Sequence, residues 1–142
     1  MYKDTITLFN YFESKKTDTY LWFPTVLHNV DLNLDNAAIL AKTGEKSQDN
    51  AILHVRIPNG SKPWIPPIEW GKQVRDDLRE TLTFKSGDFF WHGEWPGTEP
   101  INNDDYLEGF DDYMVKKYDY VFRITSVDGP FTVIPHLEIL GR

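Results

Sequence analysis

The sequence contains no cysteine among its 142 residues. This absence excludes disulfide bonds, thiolate metal sites and cysteine nucleophiles. No apolar run approaches the roughly 20 residues that a transmembrane helix needs. The opening residues, MYKDTITLFNYF, place acidic and aromatic side chains where a signal peptide has a basic and then an aliphatic stretch. We therefore expect a protein that folds in the cytoplasm and has no membrane partner.

Basic residues are scarce in one part of the chain, and the formal net charge is −7. Residues 88–119 hold nine acidic side chains against Lys116 and Lys117, whereas the remainder is balanced. A chain without a stripe of basic residues binds nucleic-acid phosphates poorly, so we expect no nucleic-acid binding. The acidic segment is typical of a solvated face, and it would alternatively suit a basic partner surface or a cation.

Sequence motifs of catalysis are lacking as well. The four histidines lie in four different predicted strands without close metal-ligand spacing, and there is no G-x-S-x-G, phosphate-binding glycine loop or dinucleotide fingerprint. Asp111 and Asp112, or alternatively Glu94 and Glu99, have the residue type of a glycosidase carboxylate pair, but their spacing does not single them out. We predict no catalytic residue, no metal site and no cofactor.

Aromatic residues are abundant, with five Trp, seven Tyr and nine Phe. The stretch Leu82–Gly93, LTFKSGDFFWHG, joins two aromatic runs through Ser-Gly-Asp, which predicts a β-hairpin with Gly87 in its turn. Its aromatic side chains are expected to include core residues, namely Phe84, Phe89 and Trp91.

The remaining pattern predicts further strands and little helix. Pro24 lies inside a predicted strand and cannot donate a ladder hydrogen bond, which indicates an edge or a bulge. Residues 68–80 favour a short helix interrupted at Gly71. The last two strands are expected to form a second hairpin that turns at Asp128-Gly129. The predicted strands are Asp4–Phe12, Tyr20–Asn29, Ala51–Pro58, Tyr118–Val127 and Phe131–Leu140, with Pro135 inside the last.

Residues 102–117 give the clearest helix pattern, with Asn102 or Asn103 as cap and two lysines at the end. The apolar stripe of this helix is expected to contain Tyr106, Leu107, Phe110, Tyr113 and Met114. The fold class predicted is mainly β (α+β). It is a small antiparallel β-barrel or sandwich built of hairpins, in one domain over residues 1–142. The helix near 102–117 would belong to an acidic helical insertion at 94–118.

Two groups of residues are candidates for binding a partner. Tryptophans beside proline-rich loops can line a sugar or peptide groove, although aromatic residues in a small β domain belong more often to the core. Unpaired strand edges need protection, which Pro24, Pro135 and the polar loops 43–50 and 58–67 are suited to provide. The candidate residues are Trp64, Trp70, Trp95, Asp104, Asp105, Glu108, Asp111 and Asp112.

Four stretches resemble a family of small proteins of unknown function that phages and prophages of Gram-positive bacteria encode. These stretches are ITLFN at 6–10, VRIP at 55–58, FKSGDFFWHG at 84–93, and RITSVDG with PHLEILGR within 123–142. The segments 99–117 and 68–80 differ from the family pattern. The resemblance implies a virion protein made in the host bacterial cytoplasm, encoded among the structural genes between capsid and tail.

Three functions follow as alternatives. The first is a non-enzymatic head–tail connector or tail-completion protein whose partners are other phage structural proteins. Such a protein would be a monomer or weak dimer alone and would form a ring only on a template. The second is a glycan- or peptide-binding module that uses the tryptophan-rich loops. The third is a hydrolase that uses the acidic segment.

Overall fold

The computed structural model describes residues 2–34, 50–60, 62–131 and 135–142. Within these ranges the chain forms seven β-strands, three short α-helices and a single 3-10 turn at Asn103–Asp105. The helices are α1 (Pro67–Gly71), α2 (Arg75–Glu80) and α3 (Phe110–Lys117). The strands are β1 (Asp4–Ser14), β2 (Thr19–Leu34), β3 (Ala51–Arg56), β4 (Phe89–Trp91), β5 (Ile101–Asn102), β6 (Val121–Phe131) and β7 (His136–Gly141).

Six strands close into an antiparallel barrel in the order β1-β4-β6-β7-β3-β2, with β2 pairing back onto β1. The length of β2 makes the closure possible, because residues 19–30 pair with β1 and residues 31–34 pair with β3. The short strand β5 adds to β2 at Leu21 and Trp22. The predicted mainly β fold is thus confirmed, and of its two alternatives the chain adopts the barrel.

The barrel interior follows the alternation of the strands. In β3, Leu53 and Val55 are buried, whereas Ile52 and Arg56 are exposed, as the sequence pattern predicted. β1 differs, since all of residues 6–10 are buried and a second layer therefore covers its outer face. The interior cluster consists of Ile6, Leu8, Leu27, Val30, Ala51, Leu53, Val55, Leu82, Phe84, Phe90, Phe122, Ile124, Leu137 and Ile139.

The second layer is an aromatic lobe built around α3. Its buried members are Phe9, Trp22, Phe89, Phe110, Met114 and Val121, which come from β1, β2, β4, α3 and β6. We call this group the aromatic lobe. Residues on the outer faces of neighbouring strands and the apolar face of one helix thus share a core of their own.

Asn103 connects the aromatic lobe to the barrel. Its Oδ1 accepts hydrogen bonds from Trp22 Nε1 and from the Phe110 backbone N–H, both at 2.9 Å. Gly109, the residue before α3, has no side chain that could accept the first helical N–H. Asn103 therefore accepts the first backbone N–H of α3. An N-cap side chain usually has this role, although Asn103 does not immediately precede the helix.

The predicted helix over 102–117 was too long. Only Phe110–Lys117 is α-helical, and the residues before it form β5, the 3-10 turn and a loop. Gly109 adopts φ +94°, a value that interrupts a right-handed helix. Leu107, assigned above to the apolar stripe, is consequently fully exposed.

The connection from β3 to β4 carries α1 and α2. The predicted interruption at Gly71 is confirmed, because α1 ends there and α2 begins at Arg75. Trp70 and Leu78, one from each helix, pack with Leu21 and Phe23 of β2 in a third buried cluster.

The hairpin predicted over Leu82–Gly93 was wrong in its pairing. Gly87 does lie in a turn, at φ +97°, and Phe84 and Phe89 are buried, while Trp91 is half-buried. However, β4 pairs with β1 and β6, and Leu82 forms an isolated bridge with Trp64. Apolar and polar residues alternate before the turn as in a strand, but residues 82–84 are all buried in a connecting segment that has no strand partner beyond that bridge.

Asp88 explains why this turn is held in place. Its buried carboxylate accepts hydrogen bonds from Asn10 Nδ2 at 2.7 Å, from the Tyr11 N–H at 3.0 Å and from Lys85 Nζ. Burial raises the pKa of the Asp88 carboxyl above its ordinary value, and the nearby Lys85 ammonium opposes that effect. Lys85 also donates to the Tyr11 carbonyl at 2.9 Å, so the network joins the turn to β1.

The last two strands pair as the sequence predicted, but the predicted turn at Asp128-Gly129 was wrong. β6 runs on to Phe131 and stays paired with β7, with a register irregularity between Asp128 and Phe131. Gly129, at φ +106°, bends the strand there without reversing it. Pro135 lies just before β7 and not inside it, and the predicted loop at 43–50 lies outside the described residues apart from Asn50.

Candidate functional site

An open cleft of about 900 Å³ runs along the outside of β2. This volume is within the range of small-molecule and peptide sites. Two segments form its walls, one at residues 56–60 with Lys62 and the other at 95–98. The cleft is lined by Tyr2, Pro24, Thr25, Val26, Leu27, His28, Asn29, Arg56, Pro58, Asn59, Gly60, Lys62, Trp95, Pro96, Gly97 and Thr98.

The floor of the cleft is a stretch of strand that has only one neighbour. β2 pairs with β5 at residues 21–22 and with β3 at residues 31–34, but between them the described residues provide only β1 as a partner. Pro24 lies in this stretch, paired with Phe9. The sequence predicted an edge or a bulge at Pro24, and of these alternatives the structure has the edge. Within the described residues, β2 therefore retains a free edge at residues 23–30, although the barrel is closed.

Thr7 positions the wall at 95–98. Its buried hydroxyl donates to the Gly93 carbonyl at 2.8 Å and accepts from the Trp95 N–H at 2.9 Å. The Trp95 ring packs edge-on against Phe9 and Phe110, with centroids 5.5 and 5.6 Å apart. Trp95 is thus anchored in the aromatic lobe while part of its surface faces the cleft.

Hydrogen bonds to β2 hold the opposite wall. Asn59 Nδ2 donates to the His28 carbonyl at 3.0 Å, and Lys62 Nζ donates to Thr25 Oγ1 at 2.9 Å. Asn59 and Lys62 form a bridge across Gly60, whose φ of +66° suits glycine at that turn. The wall therefore spans the free edge through two side chains and leaves the strand between them open.

The charge of the cleft is opposite to that of the chain. The described residues of its lining include Arg56, Lys62 and His28 but no aspartate or glutamate. Arg56 stacks on the Tyr2 ring, with 4.1 Å between the guanidinium carbon and the ring centroid. Burial lowers the pKa of the Lys62 ammonium, which indicates a cation whose solvation is incomplete. Within the described part of the chain, neither Arg56 nor Lys62 forms a salt bridge with a carboxylate.

The three tryptophans predicted to bind a partner are in different environments. Only Trp95 lines the cleft. Trp70 is 1% exposed and belongs to the core, so it offers no surface to a partner. Trp64 is half-buried and packs against the interior cluster. The structure does not bring the three together as one aromatic surface.

Three of the five predicted acidic residues lie within ion-pair distance of two neighbouring cations. Arg123 Nη2 lies 2.6 Å from Asp112 and 3.4 Å from Asp111, and Lys116 pairs with Glu108. Asp104 and Asp105 are exposed in the 3-10 turn. In the described ranges, no group of three or more His, Asp or Glu residues is arranged to hold a metal ion. The acidic segment is thus a charged surface that cations neutralise only in part.

Sequence reasoning missed Arg56, Lys62, Thr7 and Thr25 as site residues. Two signals did point to this region, namely Pro24 inside a strand and the polar loop at 58–67. The cations were missed because they are distant in sequence from β2, and only the folded barrel brings them to its free edge. Among the described residues, no helix has the length and apolar character needed to cross a membrane.

Comparison with known proteins gives a family but no assigned activity. No curated protein and no solved structure has significant similarity to the chain. One family match extends over residues 1–142, the whole sequence. The chain therefore belongs to the family of unknown function DUF6751.

Proposed function

We propose that this protein is a non-enzymatic virion protein of the head–tail connector or tail-completion type, made in the cytoplasm of a bacterial host. The observation that carries the proposal is the free edge of β2 beside the cleft. A barrel uses nearly all its strand edges internally, so an edge left open between two ordered walls is a ready surface for another chain. The sequence resemblance to phage-encoded proteins supports a role in a phage particle.

The free edge of β2 is protected against pairing with another copy, as expected of a protein that stays monomeric until its partner binds. Pro24 removes one N–H from it, and Asn59 occupies the His28 carbonyl. Two copies therefore cannot pair readily through this edge alone. Joining neighbours within a ring would need a template that supplies the complementary surface.

We expect the purified protein to sediment as a monomer, or at most a weak dimer, because of its protected edge and its net charge of −7. Sedimentation velocity over a range of concentrations, with and without the other structural proteins of the particle, measures this. Larger assemblies should appear only with those proteins. A tight oligomer formed alone, or turnover of any substrate, would contradict the proposal.

Incorporation of the protein into phage particles is the direct test of a virion role. Mass spectrometry of particles purified from a host that carries the gene should detect the chain in a fixed ratio to tail proteins. Its absence from intact particles would contradict a virion role.

A ligand-binding module remains a second candidate, favoured by one observation. Trp95, a half-buried aromatic ring, lines a cleft of about 900 Å³ together with polar side chains. A glycan array separates the two functions, because a ligand-binding module should bind glycans on the array and a connector protein should not.

A further inference from the structure

We infer that the cleft binds an extended acidic segment of a partner protein, which adds to the free edge of β2 as a further strand and places carboxylates against Arg56 and Lys62. This inference rests on the proposed function only in taking the partner to be a protein. It names the chemistry of that partner and the residues that recognise it.

The backbone of β2 supplies the first argument. Alternate residues of an antiparallel strand direct their N–H and C=O groups toward one neighbour and then the other. The His28 carbonyl points into the cleft, where Asn59 binds it. By the same alternation, the Pro24 carbonyl and both backbone groups of Val26 point there too. An added strand would therefore be centred on Val26, the one position in this set with an N–H to donate and a C=O to accept.

The length of the edge favours a peptide over a small anion. Residues 23–30 span about 25 Å at roughly 3.3 Å per residue. Trp95, which is half-buried, provides apolar surface beside that edge, in addition to the backbone groups. Strand addition combines main-chain hydrogen bonds with pockets for alternate side chains, and this cleft offers both.

Charge selects an acidic segment. Among the described residues, the cleft is lined by the cations Arg56 and Lys62 and by no carboxylate, in a chain whose net charge is −7. Arg56 is held in place by the Tyr2 ring and Lys62 by Thr25 Oγ1. Two oriented cations at one strand edge can pair with carboxylates on an extended chain. A nucleic acid fits less well, because the surrounding acidic surface repels a continuous phosphate backbone.

A labelled peptide of alternating valine, threonine and glutamate is the probe, and fluorescence anisotropy measures its affinity. A matched peptide with glutamine for every glutamate tests the charge. We expect the glutamate peptide to bind roughly tenfold more tightly than the glutamine peptide at low salt, with the difference reduced at high salt. Binding by both peptides alike, or by neither, would overturn the inference.

Protein variants locate the site. Combining Arg56→Gln with Lys62→Gln should weaken binding of the glutamate peptide about tenfold or more. Combining Lys15→Gln with Lys16→Gln removes the same charge from the exposed β1–β2 turn and should leave affinity unchanged. Equal losses in the two double variants would overturn the assignment to the cleft, as would no loss in either.

Val26→Pro tests the backbone contribution, because proline removes the N–H at the centre of the expected added strand. We expect this variant to lose most affinity while keeping its unfolding midpoint. If it fails to fold, the charge variants still decide the question. Unchanged affinity in a folded Val26→Pro protein would overturn the strand-addition geometry.

The outcomes also separate this inference from the proposed function. If the chain is found in particles but the acidic peptide does not bind, the inference fails and the virion role stands. If the peptide binds but the chain is absent from particles, the inference stands without the virion role. An oligonucleotide of equal charge that binds more tightly than the peptide would overturn the choice of a protein partner.

Discussion

Replacing Phe89 with alanine is expected to lower the free energy of unfolding by about 3–5 kcal/mol, which is the usual cost of removing a large buried aromatic ring. Phe89 is fully buried in the aromatic lobe. Its ring stacks on Phe9 at 4.6 Å between centroids and contacts Trp22 at 4.9 Å and Phe110 at 5.9 Å. Since four elements meet at this ring, the cavity left behind cannot collapse easily.

Chemical denaturation followed by circular dichroism measures this cost. Phe131→Ala is the matched control, because the same side chain is 43% exposed there and its removal should cost less than about 1 kcal/mol. Trp91→Ala should fall between the two, since Trp91 is only half-buried. Equal effects at Phe89 and Phe131 would show that the aromatic lobe contributes little to stability.

Replacing Asp88 with alanine is expected to cost about 3–5 kcal/mol, as breaking a buried ion pair usually does. The change leaves three donors without their acceptor, namely Asn10 Nδ2, the Tyr11 N–H and Lys85 Nζ. Two of them belong to β1, so the loss affects the barrel as well as the turn that contains Gly87.

A double-mutant cycle shows how much of this cost comes from the ammonium group that loses its partner. Adding Lys85→Met to Asp88→Ala should recover part of the lost stability, because the unpaired cation is then absent. Asp128→Ala, at an exposed carboxylate in β6, is the control and should have little effect. If Asp88→Ala unfolds at the same denaturant concentration as the unchanged protein, the network is not important for stability.

The sequence predicted most of the strands, because their side chains alternate along the chain. β3 is the clearest case, since Leu53 and Val55 face the interior and Ile52 and Arg56 do not. Pro24 predicted a free edge because proline cannot donate to a second strand. These features depend on neighbouring residues, so they can be read locally.

Errors arose where burial has a cause distant in sequence. Leu82 and Phe84 alternate like a strand, but they are buried because they enter the interior cluster from a connecting segment. Leu107 fits the apolar stripe of a longer helix, but the positive φ of Gly109 prevents the helix from extending back to Leu107. The cleft could not be predicted, since Arg56 and Lys62 meet the edge of β2 only after the barrel closes.

The hydrogen bonds of Asn103 have a consequence for how the protein unfolds. The N–H at the start of α3 is capped by a side chain that is also bound to Trp22 of β2. The helix has only eight residues, too few to persist alone in water. When β2 leaves the barrel, α3 therefore loses both its cap and part of the surface on which it packs. Amide hydrogens in α3 and in the barrel should accordingly exchange with solvent through the same opening event, as one cooperative unit.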